Sequence, residues 1–428
     1  MSTSVERAKV QRLLWRAGFG PRPGEVEKWA AAGHRALVER LLSPKGAQYG
    51  PTTVTLDPVN VYGHDVLWWL DRAVRTRQPL AERMAFTWHD HLAVSNAAIG
   101  DTRLMLSYYA TLRRLGLGKF RLLMRAITLE GAMLLFLDIA GSNKEAPNEN
   151  FARELFELFT LGANNGYTEQ DIREAARALT GFWWDYDNRV LGYDRRGAHD
   201  NDMKTIFGRQ GRFDWANVID LAVQHPAHAP YLCRKLWGYL SPRPCPKDLL
   251  RSMVKAYRSS GTEIRPVLRL ALTHPAFYAG LDEPDQVKPP LVYLAGMMRG
   301  TGQDVTTGLW ALGDYLFRMG QAPFYPPNVS GWPKDGEWLS TATIRTRYAA
   351  ASFVASRTAV VPGKRARDDL RQALEAAGRP WASARTLAEL DRLARTGRAP
   401  GTTRPISPSE RRLLLAQALL GGPDAQVC

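Results

Sequence analysis

The chain has 428 residues, 45% of them hydrophobic and 23% charged, with a net charge of +15. This is the composition of a globular protein large enough to bury its own core, and it excludes disordered, collagen-like and disulfide-stapled classes. The basic excess favours acidic partners, although an Arg-rich composition alone produces it, and no zinc-finger, RNP-like or bZIP-like pattern points to nucleic acid.

The first segment, "MSTSVERAKVQRLLWRAGFG", has neither the apolar centre nor the twin arginine of an export signal, so the expected location is cytoplasmic. It predicts an amphipathic helix with Val5, Val10, Leu13, Leu14 and Ala17 on one stripe. Two short helices broken at Gly33 follow, then a Gly/Pro/Thr-rich loop over 43–60. Helical periodicity resumes in "HDVLWWLDRAVRT" and "PLAERMAFTWHDHLAVS" and predicts further helices over 101–115, 118–130, 148–161, 168–181, 213–224, 227–240, 246–259 and 263–272. The apolar run "GAMLLFLDIAG" is too short to span a bilayer and carries Asp138. Strand signals are sparse, and 183–198 predicts at most one small hairpin.

A Pro/Gly-rich ordered loop leads into a helix across "GQAPFYPPNVSGWPKDGEWLSTATIRTRYAA". Beyond it the composition turns to Arg, Ala, Pro and Gly. The expected organisation is therefore a mainly α protein: a large multi-helix body over 1–358 and an Arg/Ala/Pro-rich helical extension over 359–428, with a mobile linker at 396–410. Cys233, Cys245 and Cys428 include no CxxC pair; the first two are expected to be reduced and buried, or bridged if the protein is exported.

The segment with the densest chemistry is "NENFARELFELFTLG", residues 148–162. At 100° per residue from Asn150, Glu154 falls at about +40°, Glu157 at about −20° and Arg153 at about −60°. These residues form a narrow polar stripe opposite Phe151, Leu155, Phe156 and Phe159. Asn148 is a plausible N-cap, Gly162 a stop, and Thr168 with Asp171 a capping box for the next helix. The stripe is either a solvated face carrying an Arg153–Glu157 pair or a covered site that needs partners, a metal or a ligand.

Other segments bear on the same alternatives. "WHDHL" offers His89 and His91, which a helix would point in nearly opposite directions, so one of them would meet Glu154 and Glu157. His89, His91, His199, Glu154 and Glu157 are the candidate ligands for a divalent transition metal such as Zn, Mn or Fe. "HDNDMKTIFG" reads as a polar loop in which His199 and Asp200 are acid/base candidates and Lys204 a cation for an anionic group. Gln321, Asn328, Trp332, Trp338 and Arg345 offer amides, rings and charge for a sugar or peptide. Glu154, Glu157, His91 and Asp200 are the catalytic candidates, and Asn148, Asn150, Arg153 and Lys204 complete the substrate-binding set.

"PNENFARELFELFTLGANNGYTEQDIREAARALTGF" closely resembles the signature of the bacterial family called "domain of unknown function 1800". "RLLWRAGFGP", "TWHDHLAVS", "HDNDMKTIFGRQG", "HPAHAPYLCRKLW", "VKPPLVYLAGMMR" and "MGQAPFYPPNVSGWPKDGEWLSTATIRTR" agree with it, over roughly residues 8–358. The family has no established activity. The resemblance implies relatives that are often exported and often encoded beside a sulfatase-like or phosphatase-like partner protein.

No GxSxG elbow, P-loop, HExxH or dinucleotide fingerprint is present. Two readings follow. One is an enzyme with a carboxylate/histidine cleft, doing metal-assisted or acid/base hydrolysis or transfer on a polar, glycan-like substrate. The other is a non-catalytic interaction or scaffold protein whose stripe is a structural network and whose basic surface docks an acidic partner.

Overall fold

The computed structural model describes residues 3–52, 54–194, 197–306, 310–358, 366–398 and 404–428. Helices dominate, as the periodicity predicts, and the break at Gly33 separates Glu25–Ala32 from His34–Leu42. Among the described residues no helix is long and apolar enough to cross a membrane. The junction at 359–365 and residues 399–403 of the expected linker lie outside the described residues.

The chain forms two compact units. The first comprises residues 1–83, 275–323 and 333–428. At its centre is the helix Pro290–Gly300, in which every residue is buried. Each fully buried Leu or Val of this kind contributes about 1.5–3 kcal/mol. His64–Arg75 and Thr341–Ser356 pack on it, and the C-terminal helices Ala366–Ala376 and Pro408–Gly421 belong to the same unit. Ser340 starts Thr341–Ser356 with a capping box shared with Thr343.

The second unit comprises residues 84–274 and 324–332. It holds the helices Thr102–Leu115, Phe120–Thr128, Glu169–Ala178, Trp215–Gln224, His228–Leu240, Lys247–Ser259 and Ile264–Thr273. The predicted hairpin is present as Phe182–Asp185 paired antiparallel with Val190–Tyr193. A second hairpin pairs Lys204–Ile206 with Arg209–Gly211, where the sequence reads as a loop, so the count is two rather than one. Its strands are too short to show alternation, and the turn places Phe207 and Gly208 at φ 50° and 71°, the type I′ pattern. Carboxylates of the neighbouring helix hold it: Glu174 accepts from the Thr205 amide at 2.9 Å and Asp171 from the Phe207 amide at 2.7 Å.

The segment 148–161 is not one regular α-helix. Asn150–Glu154 is α-helical and Leu155–Thr160 is π-helical. The wider turn departs from the 3.6-residue period, yet Phe156 and Phe159 are buried and Glu157 pairs with Arg153, as the wheel places them. Gly162, at φ 92°, ends the segment as expected; a Cβ there would lie 2.8 Å from the Tyr231 ring. Thr168 and Asp171 form the predicted capping box.

Candidate functional site

The two histidines of "WHDH" do point apart, and each meets a main-chain group. They end the helix Pro79–His91. His89 is fully buried, and its Nε2 accepts from the Phe324 amide at 3.2 Å. Nε2 is therefore unprotonated and the ring carries its proton on Nδ1. Burial pushes its pKa down to about 3, so the ring is neutral. The rings of Tyr108, Phe324 and Trp332 surround it. His91 donates from Nε2 to the Phe159 carbonyl at 3.0 Å.

Asp90, between them, secures the segment 324–332. Its Oδ1 accepts from the Trp332 amide at 2.7 Å and its Oδ2 from the Tyr239 hydroxyl. Gly331 is required beside it: φ is 88°, and a Cβ would stand 2.3 Å from Asp90 Oδ1. Trp332 then stacks on Phe86 with centroids 5.1 Å apart.

The π-helical end of the signature segment exposes carbonyls that a buried helix terminus must satisfy. Side chains supply the donors. The Leu158 carbonyl receives the Tyr231 hydroxyl at 2.7 Å and Lys235 Nζ at 3.3 Å. His91 takes the next carbonyl, Phe159, and His228 Nδ1 takes Thr160 at 2.9 Å. His228 Nε2 accepts from the Tyr257 hydroxyl at 2.8 Å, and burial pushes this ring's pKa down to about 4. The Thr160 hydroxyl bonds the Leu155 carbonyl within the π turn. Together these contacts form a brace that fixes the end of residues 148–160 and the segment 324–332.

The polar stripe itself is partly solvated. Arg153 is its hub, paired with Glu149 at 3.1 Å, Glu157 at 3.4 Å and Glu169 at 2.8 Å. These carboxylates raise the Arg153 pKa, with the Glu169 hydrogen bonds contributing most. Asn148 caps the Asn150 amide at 2.8 Å, and Asn150 donates to Asp138 at 3.1 Å on the surface. Glu154 differs from its neighbours: it is half-buried, and burial, then the charge of Glu157, raises its pKa.

The loop of His199 to Lys204 is anchored inward. His199 Nδ1 donates to the Thr180 carbonyl at 3.0 Å. Asp200 pairs with Arg177 at 2.7 Å and accepts from the Asp202 amide at 2.9 Å. Burial pushes its carboxyl pKa up, but these hydrogen bonds and Lys204 carry it below the ordinary value. Lys204 is buried and donates to the Asp200 and Asp202 carbonyls; burial lowers its pKa.

The late aromatic loop does not present its tryptophans. Trp332 and Trp338 are buried, and Gln321 accepts from the Leu291 amide at 3.1 Å. Asn328 is exposed and caps Ser330, and Arg345 is exposed. Asn328 and Trp332 belong to the second unit, whereas Gln321, Trp338 and Arg345 belong to the first.

Among the described residues no three His, Cys, Asp or Glu side chains form a group suited to a metal ion. His89, His91, His199, Glu154 and Glu157 are therefore not gathered into one centre. Cys233, Cys245 and Cys428 are free thiols. The sequence reading passed over Asp90, Arg177, His228, Tyr231, Lys235 and Tyr239. Their signal was polar atoms inside otherwise apolar helical runs such as "HAPYLCRKLWGYL".

Several of the segments carrying the resemblance meet in the brace: "TWHDHLAVS" supplies Asp90 and His91, "HPAHAPYLCRKLW" His228, Tyr231 and Lys235, and "PPNVSGW" the Trp332 amide. No curated protein matches the chain, and no solved structure matches it. Residues 12–427 match the family described as "Protein of unknown function (DUF1800)", a span that includes the C-terminal helices. The chain belongs to that family.

Proposed function

We propose that this protein is a non-catalytic interaction protein, in which the histidine and aspartate motifs brace the fold and a basic surface docks an acidic partner. One observation carries the reading. His89 Nε2, Asp90 Oδ1, His91 Nε2 and His228 Nδ1 each hold a main-chain amide or carbonyl, so these atoms already serve the fold. A general base or metal ligand needs an available nitrogen or oxygen within reach of the reacting group. The net charge of +15 supplies the attraction for an acidic partner. Glycan binding through the late loop draws little support, because both of its tryptophans are buried.

Glu154 supports a second reading, in which the protein is an acid/base enzyme. A half-buried carboxyl whose pKa is raised by burial and a neighbouring carboxylate is the type of group used in acid/base catalysis.

Chromatography on immobilised poly-glutamate tests the docking reading. Retention at about 50 mM salt and release by about 300 mM is expected for an association driven by exposed charge. Flow-through at the lower salt concentration overturns it.

A further inference from the structure

The first unit contains a pocket of about 300 Å³ that the reading above does not use. The helices Glu25–Ala32 and His34–Leu42, the turn at 76–79 and the last turn of Pro290–Gly300 form its walls. Five of its lining residues are cationic, Arg22, Lys28, Arg40, Arg77 and Arg299, and Glu25 alone is acidic.

Glu25 is already engaged. Its Oε2 accepts from the Arg22 amide at 2.9 Å and lies 3.8 Å from the Arg299 guanidinium. Arg299 is buried and anchored: Nε donates to the Gly20 carbonyl and Nη1 to the carbonyls of Ala73, Val74 and Thr76. Neutral carbonyls orient this charge without cancelling it, and burial pulls its pKa down to about 10. Arg22 uses one guanidinium nitrogen on the Val74 carbonyl, and Asp304 adds a more distant negative charge. Arg40 is tied to the Lys45 carbonyl at 3.2 Å. Lys28 and Arg77 have no carboxylate partner among the described residues.

The pocket is thus a wall of fixed positive charge with exposed donors at its mouth. Lys28 sits 5.7 Å from the Trp29 ring, and Trp29, Leu37 and Leu41 add an apolar side. A volume of this size suits a small organic molecule rather than a bare ion.

We propose that this pocket binds a phosphate monoester, with the dianion held by Arg22, Lys28 and Arg77 and the organic group against Trp29, Leu37 and Leu41. Arginine forks and a lysine point charge match tetrahedral oxyanions, and the buried Arg299 adds field without having to move. The proposal is separate from the docking reading: it concerns a concave small-molecule site, whereas poly-glutamate retention reports the outer surface.

Calorimetric titration of the full chain with phenyl phosphate tests it, with phenyl sulfate, a monoanion, as the comparison. One saturable site per chain is expected for phenyl phosphate, with phenyl sulfate weaker. Losing one charge-assisted contact weakens binding by about tenfold. Lys28→Gln with Arg77→Gln should therefore reduce affinity by about a hundredfold at unchanged melting temperature, both side chains being exposed. Absence of saturable phenyl phosphate binding overturns the proposal. So does equal affinity for phenyl sulfate, or undiminished binding by the folded double variant.

Discussion

Acidification should weaken the fold through two buried histidines, by an amount that follows from their surroundings. His89 and His228 are buried, with pKa values pushed down to about 3 and about 4 from an ordinary 6.5. A histidine with a depressed folded pKa contributes stability that is fully present above the unfolded pKa. That stability is lost as pH falls from about 6.5 toward the folded value, because the unfolded chain takes up the proton first. Between pH 7 and pH 5 the loss is about 2 kcal/mol for each residue and about 4 kcal/mol for the two together. The assay is urea unfolding at pH 7, 6 and 5 of the parent, His89→Gln and His228→Asn. The amide of Gln reaches the position of Nε2 and that of Asn the position of Nδ1, so each variant retains its main-chain hydrogen bond. Each variant should lose about 2 kcal/mol less than the parent across this interval. Equal losses in parent and variants would refute the reasoning.

The paired carboxylates of the signature segment should respond differently from each other. Glu154 has a raised folded pKa, so its ionisation costs stability as pH rises through that value. Glu154→Gln should therefore raise the melting temperature at pH 7, and the gain should vanish below about pH 4.5, where the parent is also neutral. A variant that melts lower than the parent at pH 7 contradicts this. Glu157→Gln removes a partly exposed pair with Arg153 and should lower stability by only about 0.3–0.5 kcal/mol, read from the same melts.

The fold was legible where local chemistry determines it. The break at Gly33, the stop at Gly162 and the Thr168–Asp171 box depend on backbone geometry and short-range hydrogen bonds, so sequence spacing finds them. The π turn at Leu155–Thr160 was not legible, because donors from distant segments, His91, His228, Tyr231 and Lys235, satisfy its carbonyls. The second hairpin escaped for the same reason, since Glu174 and Asp171 hold its amides. For the site, the sequence identified His89 and His91 as chemically able groups and correctly placed them on opposite sides of a helix. It could not reveal that a main-chain group engages Nε2 of each. The pocket of Arg22, Lys28, Arg77 and Arg299 left no motif, because its residues are scattered over 278 positions of a chain rich in arginine.

The central claim, that the histidine motif is a neutral brace, is tested most directly by imidazole 15N NMR of the histidine-labelled chain, with added Zn, between pH 7 and pH 5. The account predicts an Nδ1–H tautomer for His89 and His228 and an Nε2–H tautomer for His91, with His89 and His228 neutral throughout and all three resonances unmoved by Zn. A shift of His89 or His91 with stoichiometric Zn, or protonation of His89 near pH 6.5, would contradict it.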